Sequence, residues 1–178
     1  MEISTIGFLG VYRFENGSAT RGAILITAID TKPLEFRVTA PVRPQNFQAT
    51  LYGEFLNEHI AVDLVGLPLL NAVERKPNLL LVRDELLLGI SNKQQIPIVR
   101  MMRVDEPSRR IEIDPLTLNS SDSSRQAVKI YTSKKFADLL QTITDQLQAL
   151  FSQRDLMEPF ERLEKACTDV HDRKMGDK

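Results

Sequence analysis

IGFLGVYRFENGSATRGAILITAIDTKPLEFRVT, residues Ile6 to Thr39, is the stretch whose reading decides the fold class. Ile6 to Phe14 is aromatic and branched, as suits a strand, and it ends at Glu15-Asn16-Gly17, where the Asn-Gly pair favours left-handed turn geometry. Ala23 to Ile29 is a nearly continuous apolar run, which predicts a strand covered on both faces, and Thr31-Lys32-Pro33 turns the chain again. Leu34, Phe36 and Val38 then alternate with Glu35, Arg37 and Thr39, giving a third strand with one wet face. Together these segments predict an antiparallel meander.

Outward from the meander, Ala40 to Pro44 must be extended, because the residue before each proline is pushed out of the helical region. Phe47, Leu51, Phe55, His59, Val62 and Val65 follow at steps of three or four, so 45–73 reads as a helical insertion, weak at Gly53 and broken at Gly66-Leu67-Pro68. Leu79 to Val82 and Leu86 to Ile90 flank the polar triplet Arg83-Asp84-Glu85 and read as a hairpin. Ile96 to Val104, the alternating Arg109 to Asp114 and Ala127 to Thr132 supply the remaining predicted strands.

After the polar loop Asn119 to Ser124 the texture becomes helical. Ser133 stands where a cap belongs, and Phe136, Leu139, Leu140, Ile143, Leu147, Leu150 and Phe151 form one apolar stripe. A second helix starts near Asp155, with Glu158 three residues on and Pro159 in its first turn. The predicted fold is therefore α+β: an antiparallel-dominated sheet with a helical insertion after the third strand and a C-terminal helical hairpin. The expected organisation is a body of 1–132 and a hairpin of 133–178 docked on it.

Composition narrows the function classes. The 178 residues suffice for one domain, and 42% apolar with 26% charged residues is ordinary for a folded protein. With 23 basic against 24 acidic residues, no global field draws the chain to nucleic acid or lipid, so any basic site is local. A single cysteine, Cys167, excludes an internal disulfide or a multi-cysteine metal site and suits a reducing compartment. The start lacks a secretory pattern and no apolar run reaches the ~18 residues of a span, so a cytoplasmic protein with no membrane contact is expected.

Motifs for chemistry are sparse. His59 and Asp63, one helical turn apart beside Glu58, could share a metal ion, but the only other histidine is His171, so they read as a helix pair and no metal is assigned. Asp63, Glu74 and Lys76 loosely follow the order of a metal-dependent nuclease, although Glu74-Arg75-Lys76-Pro77 looks like a helix end with ordinary cationic capping. The carboxylate pairs Asp84 with Glu85 and Glu112 with Asp114 read as solvated charges. No serine-nucleophile or phosphate-cradling glycine motif is present, and neither a catalytic residue nor a cofactor is assigned.

Two binding surfaces remain. The main expectation is a non-enzymatic interaction or accessory subunit of a larger intracellular assembly, with a protein partner or self-association through Phe47, Leu51, Phe55, Phe136, Leu140, Ile143, Leu147 and Phe160. The alternative is a nucleic-acid-binding module on a basic and aromatic sheet face made from Arg37, Arg43, Tyr52, Arg100, Arg103, Arg109 and Arg110. Arg100 and Arg103 have opposite parity on a strand, which splits that patch. A second alternative is a metal-dependent hydrolase or nuclease.

Overall fold

The computed structural model describes residues 1–176, with side chains described through residue 174; the last two residues of the expected hairpin lie outside the described residues. Its centre is a 7-stranded mixed sheet in the order β3-β2-β1-β4-β5-β7-β6. The meander forms as read: β1 (Thr5–Phe14), β2 (Ala19–Ala28) and β3 (Pro33–Val38) pair antiparallel. At its first turn Asn16 and Gly17 take φ of 56° and 89°, the left-handed geometry expected of that pair.

The central strands run parallel. β4 (Leu79–Val82) lies beside β1, and β5 (Ile98–Arg103) lies beside β4 in the same direction. Parallel neighbours need a crossover, so the chain after β4 cannot be a hairpin. Leu86 to Ile90, predicted as its returning strand, instead lies in a 3-10 segment, Glu85–Lys93, with Asp84 accepting from the Leu86 N–H at its start and Leu87 and Ile90 buried three residues apart. Arg109 to Asp114, predicted as a strand from its alternation, has no strand partner, and Ile111 is exposed. The outer pairing is made by two short antiparallel strands, β6 (Leu116–Leu118) and β7 (Val128–Tyr131), with β7 against β5.

Each face of the sheet carries a helical layer. On one face the insertion runs as α1 (Asn46–Tyr52), a 3-10 turn (Gly53–Phe55), α2 (Leu56–His59), a π-helical segment (Ile60–Gly66) and α3 (Leu67–Ala72), the weak point at Gly53 appearing as φ 53°. Ile60, Val65, Leu69 and Leu70 pack there against Leu9, Ile24, Leu80 and Val82. Gly22 permits that approach, because a Cβ at this position would stand 1.9 Å from Cγ1 of Val65.

On the other face lie α4 (Leu140–Gln153), entered through a 3-10 turn Lys134–Leu139, and α5 (Glu158–Gly176). Their stripe fills the core with Phe8, Leu81, Met101 and Ile130. Phe136, Leu140, Ile143, Leu147 and Phe160 are consequently buried, at 5%, 4%, 0%, 0% and 7% exposure, so these five expected partner contacts are corrected to core positions. The apolar face of the hairpin is satisfied by the protein's own sheet. Ser133 occupies the cap position, but its hydroxyl makes no capping bond.

The far end of α5 is pinned by a buried arginine. Arg21, 2% exposed, donates through Nε to Nδ1 of His171 at 2.9 Å and through Nη1 to the Thr39 carbonyl at 2.9 Å, while His171 stacks on Phe14 at 4.2 Å. One turn earlier, burial pushes the Cys167 thiol up to about 11. The native protein is therefore expected to leave this thiol unreacted with a thiol-specific disulfide reagent at mildly alkaline pH, and to react fully once unfolded. Rapid reaction in the native state would show that the end of α5 opens. Among the described residues no helix is long and apolar enough to cross a membrane.

Candidate nucleic-acid interface

The helical insertion leaves its outer edge uncovered. Phe47, Leu51 and Phe55 are 59%, 78% and 65% exposed, unlike the buried hairpin stripe. Tyr52 and His59 stack ring on ring at 4.2 Å and 16°, which fixes the Tyr52 ring while leaving part of it open.

Three depressions adjoin along this edge. The first, about 360 Å³, lies where the strap between β5 and β6 meets the end of β7, and includes Glu58, Gly89, Asn92, Arg110, Lys134 and Lys135. A second, about 320 Å³, shares Glu58, Gly89 and Asn92 with it and adds Tyr52, Phe55, His59, Asp63 and Lys93. The third, about 240 Å³, shares Tyr52 and His59 with the second and ends at Arg43 and Pro44. The result is one groove with cations at both ends and aromatic rings between them.

Most of these cations are held in place by carboxylates or carbonyls. Arg43 pairs with Glu15 at 2.9 Å and Arg110 with Glu58 at 2.9 Å, each carboxylate raising the guanidinium pKa by its hydrogen bond. Asp63 bridges Lys93 and His59, and the Lys93 ammonium foremost, then the His59 hydrogen bond, holds its carboxyl below the usual range. Lys135 donates to the carbonyls of Ser91 and Gln94, whereas the Lys134 ammonium has no hydrogen-bond or ion-pair partner among the described residues.

The remaining arginines expected on a basic face are dispersed. Arg37 pairs with Glu35 and Glu74 at the opposite edge of the sheet, beside β3. Arg100, 7% exposed, is a buried clasp and not a surface contact: it donates to Tyr131 Oη at 2.8 Å, Ser108 Oγ at 3.0 Å and the Arg83 carbonyl at 2.8 Å. Arg103 lies on the other face, in a cleft with Tyr12, Arg83 and Phe160, as strand parity requires. Arg109 is exposed on the strap, its backbone N–H bound to Glu85. Of the seven arginine and tyrosine candidates, only Arg43, Tyr52 and Arg110 therefore line the groove. Lys134, Lys135 and His59 join them from segments that sequence spacing could not bring together.

A divalent ion is poorly matched by these donors. Among the described residues no three His, Cys, Asp or Glu side chains come together as a metal site. The carboxylates beyond the ends of β4 and β5, Glu85 and Glu106, are engaged by Arg100 and Arg83. Glu74 is turned to Arg37, and the Lys76 ammonium caps α3 through the carbonyls of Leu70 and Asn71, so neither is joined to Asp63 in these contacts.

No family model matches the sequence, and no curated protein matches it. The solved structures are more informative. Human endonuclease V superposes with a TM-score of 0.61 at 12% identity, covering 98% of this chain and 86% of that one. This chain shares the endonuclease V fold. Endonuclease V of Streptomyces avermitilis gives 0.61 at 11% identity, over 97% of this chain and 83% of that one. The Ciona intestinalis endonuclease V, solved with a 24mer DNA containing an inosine followed by a ribo-adenosine, gives 0.62 at 11% identity, over 97% and 87%. These likenesses favour the nucleic-acid expectation, and nothing in them supports the accessory-subunit one.

Proposed function

We propose that this protein binds single-stranded nucleic acid along the groove from Lys134 to Arg43, on an endonuclease V-like fold and without a divalent ion in the contact. The observation that carries the reading is the joining of the three depressions, which sets the exposed rings of Tyr52 and Phe55 between cationic ends. Proteins that bind single strands combine cations tracking the backbone with aromatic rings on which bases stack. A fold seen holding DNA in the Ciona intestinalis structure supports the same reading.

The test is fluorescence anisotropy of a labelled oligothymidylate over a salt series, with and without EDTA. The logarithm of affinity should fall linearly with the logarithm of salt, with a slope of about −2 to −3 for three or four phosphate contacts on a single strand. EDTA should leave it unchanged. Absence of binding at low salt, or binding abolished by EDTA, would overturn the proposal.

A second reading, docking of a protein on Phe47, Leu51 and Phe55, is favoured by Leu51, which is 78% exposed and offers no ring for stacking. Leu51→Ala separates the two: it leaves strand binding almost unchanged and removes a protein contact.

A further inference from the structure

The groove contains carboxylates where a polyanion would be repelled, and one of them spans it. Glu58 sits on α2, and its Oε2 accepts from Nη1 of Arg110, a residue of the strap between β5 and β6, at 2.9 Å. The strap has no regular secondary structure around Arg110 and reaches the groove by side-chain and backbone bonds: Ser108 Oγ and the Arg109 N–H both donate to Oε2 of Glu85 at 3.1 Å. Its Glu112 also accepts, at 3.5 Å, the backbone N–H of Lys134. Carboxylates thus occupy two donors, the Arg110 guanidinium and the Lys134 amide, that otherwise face the depression beside Lys134 and Lys135.

Resting on the groove as the binding site, we propose that Glu58 is a resident competitor for the nucleic-acid phosphate: it holds Arg110 across the groove in the free protein and gives it up when a phosphate arrives. The two side chains are 36% and 52% exposed, so their pairing is screened by water and contributes little to the fold. An exposed carboxylate is exchangeable for a phosphate, which offers the planar guanidinium the same two-oxygen geometry. Ser108 and Arg109 keep the strap anchored to Glu85 while Arg110 turns, so the exchange needs only a side-chain movement. Glu58 thereby sets both the affinity and the salt dependence of the site.

The measurement is anisotropy with the same labelled oligothymidylate and salt series on the full-length wild type, Glu58→Gln and Arg110→Gln, with thermal melting to confirm that each is folded. Glu58→Gln should bind about three- to tenfold more tightly at low salt with a slope steeper by about 0.7, one further phosphate contact on a single strand. Arg110→Gln should bind more weakly with the slope shallower by about the same amount. If Glu58 only anchors the strap, its substitution weakens binding as Arg110→Gln does. A Glu58→Gln protein that binds no more tightly than wild type, while the wild type binds with the expected slope, overturns the competitor role and leaves the groove standing. Failure of all three proteins to bind overturns the groove itself.

Discussion

Tyr52→Ala with Phe55→Ala is expected to weaken binding of a short oligothymidylate by about 2–4 kcal/mol, roughly 30- to 1,000-fold, with the salt slope almost unchanged. Phe55 is 65% exposed and Tyr52 lies flat on His59, so both rings are available before any strand arrives. Preorganisation matters here because ordering flexible side chains is part of what opposes association. Neither ring carries charge, so their removal costs stacking without altering the number of phosphates neutralised. Equilibrium titration of the double variant at two salt concentrations checks both parts. A loss of less than threefold would mean that the bases do not lie on these rings. A large loss accompanied by a shallower slope would mean that the variant had disturbed the neighbouring cations.

The second large effect concerns the tail. Phe151→Ala is expected to destabilise the protein by about 3–5 kcal/mol, because a fully buried aromatic ring is replaced by a cavity. Phe151 is 0% exposed and belongs to the cluster that holds Phe8, Leu81, Met101 and Leu156. Arg125 also lies over its ring at 5.6 Å and is bonded to its carbonyl, tying the loop before β7 to α4. Since a domain holds only about 5–15 kcal/mol in total, such a loss is a large fraction of it. Urea unfolding followed by circular dichroism measures it. A change below 1 kcal/mol would show that α4 is dispensable to the core and would restore the hairpin as a surface for partners.

The sequence carried the secondary structure unevenly, and the reasons are physical. The meander was legible because alternation at Leu34 to Thr39 and an Asn-Gly turn each have a mechanism that tertiary context reinforced. The leucine run Leu86 to Leu88 has no period, so a 3-10 crossover and a strand look alike until β4 and β5 are seen to be parallel. Arg109 to Asp114 alternates without having a strand neighbour, because alternation reports one wet face and not a partner. β6, only Leu116–Leu118, is too short to leave a signal.

The groove was half visible. Tyr52, Phe55, Arg43 and Arg110 were singled out, the opposite facing of Arg100 and Arg103 was read correctly from parity, and the burial of Arg100 was not foreseen. What linear spacing could not show is that Lys134 and Lys135, at the start of the last helical layer, lie beside Glu58 and Gly89 across the sheet edge. The same limit hid the fold itself, since 11–12% identity to the endonuclease V structures leaves too few matched residues to recognise.

The most direct test of the account is amide chemical-shift mapping of the labelled protein titrated with oligothymidylate in the presence of EDTA. The expected result is a continuous set of shifted amides around Arg43, Tyr52 to His59, Gly89 to Lys93, Arg110 and Thr132 to Lys135, saturating in parallel with the anisotropy. Shifts confined to the opposite face, around Tyr12, Arg103 and Glu164, or none at saturating oligonucleotide, would contradict it.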